Sequence, residues 1–278
     1  MLSAAAAAAR SLRPRRSVSS FHGRPLPPVC VGFSSEEGKR RFAEALAAGD
    51  AEAFFPLAEQ FITQDAPAFC GIASLCMVLN ALRVDPGPTR PAWREDGVWR
   101  WFDESVLDLS APVMLANSKT TLTEIKAVGV TLDEFASLAE HNGASVKMYR
   151  PKDSSEAQFR TQLIHASRVH AAPHVVVAFS RKTLMQTGDG HFSPVAGYHA
   201  DTDSVLVLDV ARFKYPPYWV PISLLWEAMW AIDEDTGTHR GFVMLDAKAT
   251  CPVWDAWKHE QDRQAHLELT RQVRPNAT

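Results

Sequence analysis

Four residues of this chain have the types that thiol catalysis needs: a cysteine, a histidine, a carboxylate and an amide. Cys70 begins the segment CGIASLCMVLNAL, and His191 lies in the glycine-flanked segment GDGHFSP. Asp209 follows the histidine by eighteen residues, and Gln64 precedes the cysteine by six. A thiolate nucleophile requires a base, a group that orients the base and a donor for the oxyanion. Cys70, His191, Asp209 and Gln64 are the candidates for these roles.

The segment that follows Cys70 has the period of a buried helix. Its apolar residues recur at steps of three and four positions: Ile72, Leu75, Cys76, Leu79 and Leu82. This spacing predicts a helix that begins at Cys70. The first turn of a helix presents unpaired N–H groups and about half a positive charge, which together lower the pKa of a thiol placed there. The segment therefore predicts an activated thiol.

The alternative role for Cys70 is that of a small buried hydrophobe, which is the usual role of a free cysteine. We assign that role to Cys76, which belongs to the apolar stripe. The order of cysteine, distant histidine and then acid is that of papain-type sites, but ten histidines and many acids make accidental triads easy. From residue types alone, the catalytic and the structural interpretations of Cys70 are equally favoured.

The composition indicates a globular chain without a strongly basic surface. The 278 residues are 46% hydrophobic and 9% aromatic, which is enough to bury a large core. Beyond residue 35 the chain carries 24 basic against 32 acidic side chains, so nucleic acid is not an expected partner. No apolar stretch approaches the length of a membrane span. The cysteines (Cys30, Cys70, Cys76 and Cys251) lack CxxC spacing, so neither a zinc site nor a disulfide framework is predicted.

The first 26 residues differ from the rest of the chain. Residues 1–35 hold five arginines, no lysine and no acid, and the segment begins MLSAAAAAARSLRPRRSVSSF. This composition is typical of an organellar transit peptide, with a disordered tail as the alternative. The absence of lysine favours the mitochondrion over the plastid, and the cytosol remains the third destination. We expect a catalytic domain over residues 27–250 and a tail over 251–278 that is helical or disordered.

Local patterns predict helices mainly in the first half of the chain and an antiparallel sheet in the second. The predicted helices cover 36–48, 56–62, 70–82, 132–141, 155–169 and 221–230, with a short one from Asp103. The predicted strands cover 145–149, 174–180, 191–199, 204–210 and 240–245. The turn residues 201–203 join two of these strands as a hairpin, which would bring His191 and Asp209 toward the same end. The fold class is therefore α+β.

Four longer blocks resemble the phytochelatin synthase family, in the same order along the chain: QDAPAFCGIASLCMVLNAL, WRWFDESVLD, QTGDGHFSPVAGYHADTDSVLVLDVARFKYPPYWVP and RGFVML. The resemblance extends over about residues 55–245. It implies a papain-like cysteine protease fold, with the helical first half packed on an antiparallel sheet. It also implies an acyltransferase that moves the γ-glutamylcysteine unit of one glutathione to another glutathione or phytochelatin, in heavy-metal detoxification. Cys70, His191 and Asp209 match the catalytic triad, and Gln64 matches the oxyanion-hole glutamine.

The resemblance also implies which residues bind substrate. An acid and an arginine hold the γ-glutamyl head group in that family, and Asp233 and Arg240 stand at the matching spacing. Arginine suits this role because its fork can bind both oxygens of a carboxylate. Arg181, Arg212 and Lys214 resemble basic positions proposed for the second, accepting substrate. Ordinary surface charge is the alternative role for these three residues.

No tightly held cofactor is expected. Cadmium, zinc and copper ions are expected to activate the enzyme as complexes with the soft thiolates of glutathione. Plant-type members carry a cysteine-rich C-terminal domain and have cysteines where Leu109 and Ser110 stand here, and Cys251 alone lies beyond the matched core. Extensive metal sensing is therefore not expected. Two other functions stay open: a glutathione hydrolase that yields γ-glutamylcysteine and glycine, and a noncatalytic thiol or metal-binding module. The resemblance further implies a homodimer.

Overall fold

Helices cover both faces of a central antiparallel sheet in the computed structural model, which describes residues 23–86, 100–170 and 173–248. The helices in these ranges are α1 (Glu36–Ala47), α2 (Phe54–Glu59), α3 (Cys70–Ala81), α4 (Pro112–Ala116), α5 (Leu122–Val128), α6 (Leu132–His141), α7 (Glu156–Ser167) and α8 (Ile222–Met229). The strands are β1 (Val31–Gly32), β2 (Ala144–Tyr149), β3 (His174–Ser180), β4 (Gly190–His199), β5 (Ser204–Val207), β6 (Tyr218–Pro221), β7 (Ile232–Asp233), β8 (Thr238–His239) and β9 (Gly241–Ala247).

The main sheet has seven strands in the order β1-β6-β5-β4-β3-β9-β2, and each neighbouring pair is antiparallel. β7 and β8 form a separate two-stranded ribbon. The last strand of the described chain, β9, lies inside the sheet between β3 and β2. The predicted hairpin of β4 and β5 is present, with a register shift between Val195 and Gly197. The α+β class is therefore confirmed.

The sheet separates two apolar cores. Alternate residues of β3 point to opposite faces, as the pleat of a strand requires. Val176 and Ala178 pack in the core that contains α3 and α6. Val175 and Val177 pack in the core that contains α7 and α8. Because both faces are covered, all seven residues of β3 are buried, which explains the uninterrupted apolar run in its sequence.

Helix α3 lies within the first core. All of its residues except Asn80 are buried. A hydroxyl on α3 ties the helix to the sheet, since Ser74 Oγ donates to the carbonyl oxygen of Phe192 in β4 at 3.2 Å. The backbone also approaches α6 and the preceding loop closely, because a Cβ at Gly71 would overlap the side chain of Val130. Packing therefore holds helix α3 in place, together with Cys70 at its first position.

Three local predictions differ from the structure. The helix expected from Asp103 is wrong, because Asp103 Oδ1 accepts from the N–H groups of Ser105 and Val106 and closes a turn instead. Helix α2 covers 54–59 rather than 56–62. Strand β5 ends at Val207, so Asp209 follows the strand rather than lying in it.

Some predictions fall wholly or largely outside the described residues. They are the transit peptide, of which residues 1–22 are not described, the tail at 251–278 with Cys251, and most of the tryptophan-rich segment before Arg100. Within the described ranges, no helix has the length and apolar character needed to cross a membrane. The described cysteines, Cys30, Cys70 and Cys76, are free and buried.

Candidate active site

Cys70 opens onto a cleft of about 320 Å³ from the first position of α3. The cleft is bounded by Val128 at the end of α5, by Val130 after it, by Gly190 at the start of β4 and by Arg240 just before β9. These residues are far apart in the sequence, and the sheet brings them together. The thiol is therefore at the wall of a cavity, whereas Cys76 on the same helix is fully enclosed by the core.

His191 and Asp209 form a buried ion pair beside Cys70. His191 Nε2 lies 2.9 Å from Asp209 Oδ1, and the side chains are 5% and 0% exposed. Because Nε2 is engaged with the carboxylate, Nδ1 is the nitrogen left for the thiol. Phe179 packs edge-on against the imidazole ring at a centroid distance of 5.6 Å and restricts its rotation. The structure therefore brings Cys70, His191 and Asp209 together, with the histidine between the thiol and the carboxylate.

The charges of the three groups support one another. Burial opposes ionisation of the thiol, but the charge and hydrogen bond of His191, the backbone of Phe192 and the charge of Arg181 hold the pKa of Cys70 below its ordinary value. Burial likewise opposes the imidazolium, yet Asp209 and the Cys70 thiolate raise the pKa of His191. A thiolate–imidazolium pair is the state that these shifts favour.

Asp209 is held by more than the histidine. Arg181 Nη2 lies 2.9 Å from both carboxylate oxygens, and the backbone N–H of Ala211 donates to Oδ1 at 2.9 Å. Arg181 is only 2% exposed, and its other terminal nitrogen donates to Gln186 Oε1. The sequence suggested that Arg181 binds the accepting substrate. Its burial and its engagement with Asp209 argue against that role, because both terminal nitrogens of the guanidinium already contact protein acceptors.

Gln64 lies near the site, but its amide points elsewhere. Its Nε2 donates to the carbonyl oxygens of Ala66 and Pro67 at 2.7 and 2.9 Å, and Oε1 is buried without a partner in the described part of the chain. Exchanging the amide's oxygen and nitrogen would place an oxygen against two carbonyls, so this orientation is the favourable one. The oxyanion role of Gln64 stays a prediction, and the unpaired N–H groups of the first turn of α3 offer a further donor set.

An acid and an arginine that contact each other line the cleft that contains Cys70. Arg240 Nη1 lies 3.1 Å from Asp233 Oδ2, and Arg240 Nη2 lies 3.7 Å from Asp189 Oδ1. The Arg240 side chain is 8% exposed, and its Nε has no partner among the described residues. A Cβ at Gly190 would overlap this guanidinium, so any other residue there would displace the Arg240 side chain. The structure thus brings Asp233 and Arg240 into the same cavity as the thiol.

Arg212 and Lys214 do not line this cleft. The Arg212 guanidinium lies 4.6 Å from the ring centroid of Phe61 and is exposed to solvent. Lys214 Nζ donates to the carbonyl oxygen of Thr187, and burial followed by the charge of Arg181 lowers the pKa of this amine. Both cations stand on the segment that follows Asp209. Their position relative to a second substrate stays a prediction.

Sequence reasoning missed the acidic rim of the cleft. Asp189, Glu234 and Asp235 line it together with Asp233. The run IDEDTG after α8 and the DG pair before His191 were signals for this rim, because an acidic turn next to a proposed recognition residue suggests a shared surface. Sequence reasoning also missed Glu104, which is buried and accepts from the N–H of Asp65 at 3.2 Å, directly after Gln64.

A potential metal-ligand cluster lies away from the cleft. Glu44, His199 and Asp201 bring one ligand atom each within 4.8 Å of one another. His199 Nε2 lies 2.8 Å from Glu44 Oε2, and Arg40 Nη1 donates to both carboxylate oxygens of Glu44. These contacts describe an ion-pair network, and the neighbouring arginine disfavours a second cation. We therefore do not assign a resident metal to this cluster.

Comparisons with known proteins agree on one family. The family model described as phytochelatin synthase matches residues 21–242. The chain is 48% identical over 236 residues to glutathione γ-glutamylcysteinyltransferase 1 of Triticum aestivum, covering 84% of this chain and 44% of that protein. It is 44% identical over 227 residues to the enzyme of the same name from Schizosaccharomyces pombe, covering 82% and 51% respectively. The chain spans about half the length of the curated relatives it matches.

Proposed function

Since the chain belongs to the phytochelatin synthase family, we propose that it cleaves glutathione through a Cys70 thioester and transfers the γ-glutamylcysteine unit to a second glutathione or a phytochelatin. The observation that carries the proposal is the cavity itself, which combines an activated thiol with the Asp233–Arg240 pair. The names of the relatives describe the same transfer. Because the match covers about half of those proteins, the whole reaction is proposed for this chain.

We also propose that the fold is papain-like. In support, the thiol stands at the first residue of a buried helix, and the imidazole stands at the second residue of a strand in the antiparallel sheet against which that helix packs. The catalytic order of cysteine, histidine and then acid agrees with this assignment. A helix and a sheet that meet in this way fix the nucleophile and the base on separate rigid elements.

The first half of the reaction releases glycine. The Cys70 thiolate attacks the carbonyl carbon of the Cys–Gly peptide bond, and the carbonyl electrons move to oxygen. When the tetrahedral intermediate collapses, the C–N bond breaks and the His191 imidazolium gives its proton to the departing amine of glycine. A γ-glutamylcysteinyl thioester remains on Cys70. Asp209 keeps the imidazole in the orientation that serves both steps.

The second half resolves the thioester. The neutral α-amine of an accepting glutathione attacks the thioester carbonyl, His191 takes a proton from that amine, and the Cys70 thiolate leaves. The product is longer by one γ-glutamylcysteine unit. If water takes the place of the amine, the product is γ-glutamylcysteine, which is the hydrolase alternative. The ratio of the two outcomes depends on how well the accepting substrate excludes water from the cleft.

Charge complementarity supports the proposed orientation of the first substrate. The γ-glutamyl head group carries an α-ammonium and an α-carboxylate, and the cleft offers an aspartate and an arginine 3.1 Å apart. Asp233 would take the ammonium, and Arg240 would take the carboxylate. We propose Arg212 and Lys214 as cations for the carboxylates of the accepting glutathione, since both follow Asp209 on one segment.

Heavy-metal ions enter the proposal as part of the substrate. Glutathione thiolates bind cadmium, zinc and copper(I), so an activating ion would arrive as a thiolate complex rather than as a resident cofactor. A mitochondrial destination and a homodimer are proposals that rest on the leader composition and on the family respectively.

Replacing Cys70 tests the reaction directly. We expect Cys70→Ala to lose both glycine release and chain extension, because no thioester can form. Chromatography of glutathione incubated with and without cadmium measures both products and separates the alternatives: longer peptides indicate transfer, γ-glutamylcysteine with glycine indicates hydrolysis, and no glycine indicates a binding module.

Cys76→Ala is the matched control, since it removes a thiol from the same helix away from the cleft. It should retain both products after correction for the folded fraction. Glycine release by Cys70→Ala at the wild-type rate would overturn the assignment of the nucleophile.

A further inference from the structure

Arg181 and the imidazole of His191 both contact the carboxylate of Asp209. Arg181 follows β3 directly, whereas Asp209 follows β5, and the two are joined by paired contacts of 2.9 Å. The side chains are 3% and 0% exposed. Gln186 accepts from the remaining terminal nitrogen, and the ring of Tyr215 lies 5.2 Å from the guanidinium carbon. Contacts at both terminal nitrogens and with the Tyr215 ring therefore restrict the Arg181 side chain.

The local charges nearly cancel. Asp209 carries one negative charge, and Arg181 carries one positive charge that cannot titrate in the working pH range. His191 and Cys70 are the groups that exchange a proton next to this pair. The other titratable groups around it, which bear on its electrostatics, are Cys30, Lys214, Tyr215 and Tyr218. Burial raises the pKa of Cys30 to about 12 and raises the pKa of Tyr218 well above its ordinary value, so both stay neutral.

We propose that Arg181 is a positioning residue that neutralises Asp209, so that His191 meets an oriented hydrogen-bond acceptor of almost no net charge. The inference rests on the proposed function, and it names a determinant of the same site. Cys-His-Asn sites fill the acceptor position with an uncharged amide. The Asp209–Arg181 pair supplies the same neutrality with two residues, and it adds a second anchor that an amide lacks.

Neutrality matters because the imidazole must gain and lose a proton in each turnover. An unpaired buried carboxylate would hold the imidazolium strongly and oppose the step in which His191 gives its proton to glycine. The charge of Arg181 acts against that effect, since it lowers the pKa of His191 while Asp209 raises it. It also stabilises the Cys70 thiolate. One buried cation therefore adjusts both members of the reactive pair.

The test removes the charge of Arg181, the charge of Asp209 or both, and measures the effect on His191 by NMR of the full chain. Histidine is labelled with ¹⁵N, and the His191 resonance is identified by its absence in His191→Gln. The titration midpoint of His191 is then measured in wild type, Arg181→Gln, Asp209→Asn and the double variant. Arg181→Gln should raise the midpoint because the carboxylate is left alone with the imidazole. Asp209→Asn should lower it, and the double variant should return close to wild type.

A kinetic measurement separates this role from substrate binding. If Arg181 acts through His191, Arg181→Gln lowers kcat for glycine release by roughly tenfold or more and shifts the alkaline limb of the pH profile upward, with an unchanged KM for glutathione. If Arg181 instead binds the accepting substrate, KM for that substrate rises and the His191 midpoint stays at its wild-type value. The second result would overturn the proposal.

Arg181→Lys is a second test variant, which is needed if Arg181→Gln does not fold. Lysine keeps the charge but loses the paired contact, so the His191 midpoint should remain near wild type while kcat falls less than in Arg181→Gln. An Arg181→Lys midpoint as high as that of Arg181→Gln would also overturn the proposal. The titration needs no turnover, so its failure is distinguishable from failure of the proposed glutathione chemistry.

Discussion

At the scale of single residues, the two residues proposed to bind the γ-glutamyl head group contact each other in the cleft. Asp233 and Arg240 are 3.1 Å apart and both largely buried, so little side-chain freedom is lost when a zwitterion replaces their mutual contact. The rim acids Asp189, Glu234 and Asp235 leave the cleft net negative. This charge favours the ammonium end of a substrate and makes Arg240 the cation lining the cleft that can receive a carboxylate.

Asp233→Asn tests this pair. It keeps the shape of the side chain but removes the charge that would bind the α-ammonium. Loss of one charge-assisted hydrogen bond costs about 1.5–3 kcal/mol, so we expect KM for glutathione to rise roughly tenfold to a hundredfold with a smaller change in kcat. Initial rates of glycine release over a glutathione series measure both constants.

Asp246→Asn is the control for that measurement, because Asp246 is exposed on β9 and does not line the cleft. It should leave KM within about twofold of wild type, as surface substitutions usually do. If Asp233→Asn behaves like Asp246→Asn, the ammonium does not bind at Asp233.

At the scale of elements, the loop at 63–69 connects three parts of the site. Gln64 N donates to the carbonyl oxygen of Val210 at 3.0 Å, which joins the loop to the segment that carries Asp209. Asp65 N donates to the buried carboxylate of Glu104. The loop then leads into α3 and Cys70. Glu104 therefore anchors the entry to the catalytic helix.

Glu104→Gln should stabilise the protein at alkaline pH. Burial, with the nearby acids Asp65 and Asp103, raises the pKa of Glu104 to about 7, whereas an unfolded chain ionises it near 4.5. The folded state thus binds the proton more tightly, and stability falls as pH rises from about 4.5 to 7. Glutamine does not ionise, so the Glu104→Gln variant does not lose stability in this way. We expect a gain over wild type of about 1–2 kcal/mol at pH 8 and almost none at pH 5, measured by urea unfolding.

Glu59→Gln is the matched control, since Glu59 is exposed at the end of α2. Its difference from wild type should be the same at both pH values. A pH-independent difference for Glu104→Gln would contradict the explanation.

The elements that sequence predicted well are those with local signals. The local patterns predicted a helix at 132–141 and a strand at 174–180, and α6 and β3 have these bounds. The nucleophile's position before an apolar helix was predicted for the same reason. The role of Arg181 could not be predicted, because its contact with Asp209 depends on how β3, β4 and β5 pair. Strand pairing is a long-range property, so a basic residue in a loop looks like surface charge until the sheet is known.

At the scale of the whole molecule, His174 is an unusual buried group. It begins β3 with no exposure, and neither ring nitrogen has a partner among the described residues. Burial, with a smaller contribution from His170, lowers the pKa of His174 to about 4. Unfolding lets this histidine take a proton near pH 6.5, so stability is lost as pH falls from about 6.5 to 4.

His174→Leu should remove that loss. We expect the variant to gain about 2 kcal/mol over wild type on going from pH 7.5 to pH 5, measured by urea unfolding at both values. His165→Gln is the control, because His165 is exposed on α7. A His174→Leu variant whose advantage over wild type does not grow toward acid would contradict a neutral buried imidazole.

His174 and Glu104 change stability in opposite directions over nearly the same pH interval. Rising pH favours the fold through His174 and disfavours it through Glu104. The contributions of these two groups to stability should therefore oppose each other between about pH 4.5 and 6.5, and either variant alone should uncover the slope of the other group.

The position of β9 has a consequence for synthesis. A ribosome completes Cys70 and its helix at Ala81, but it must add 166 further residues to complete β9 at Ala247, which then enters the sheet between β3 and β2. Arg240, which receives the substrate in our proposal, directly precedes that strand. Because domains generally fold as units, the nascent chain carries the Cys70 thiol long before it has the histidine that activates this thiol and a cleft that can bind a peptide. The order of translation thereby delays the chemistry until the fold is complete.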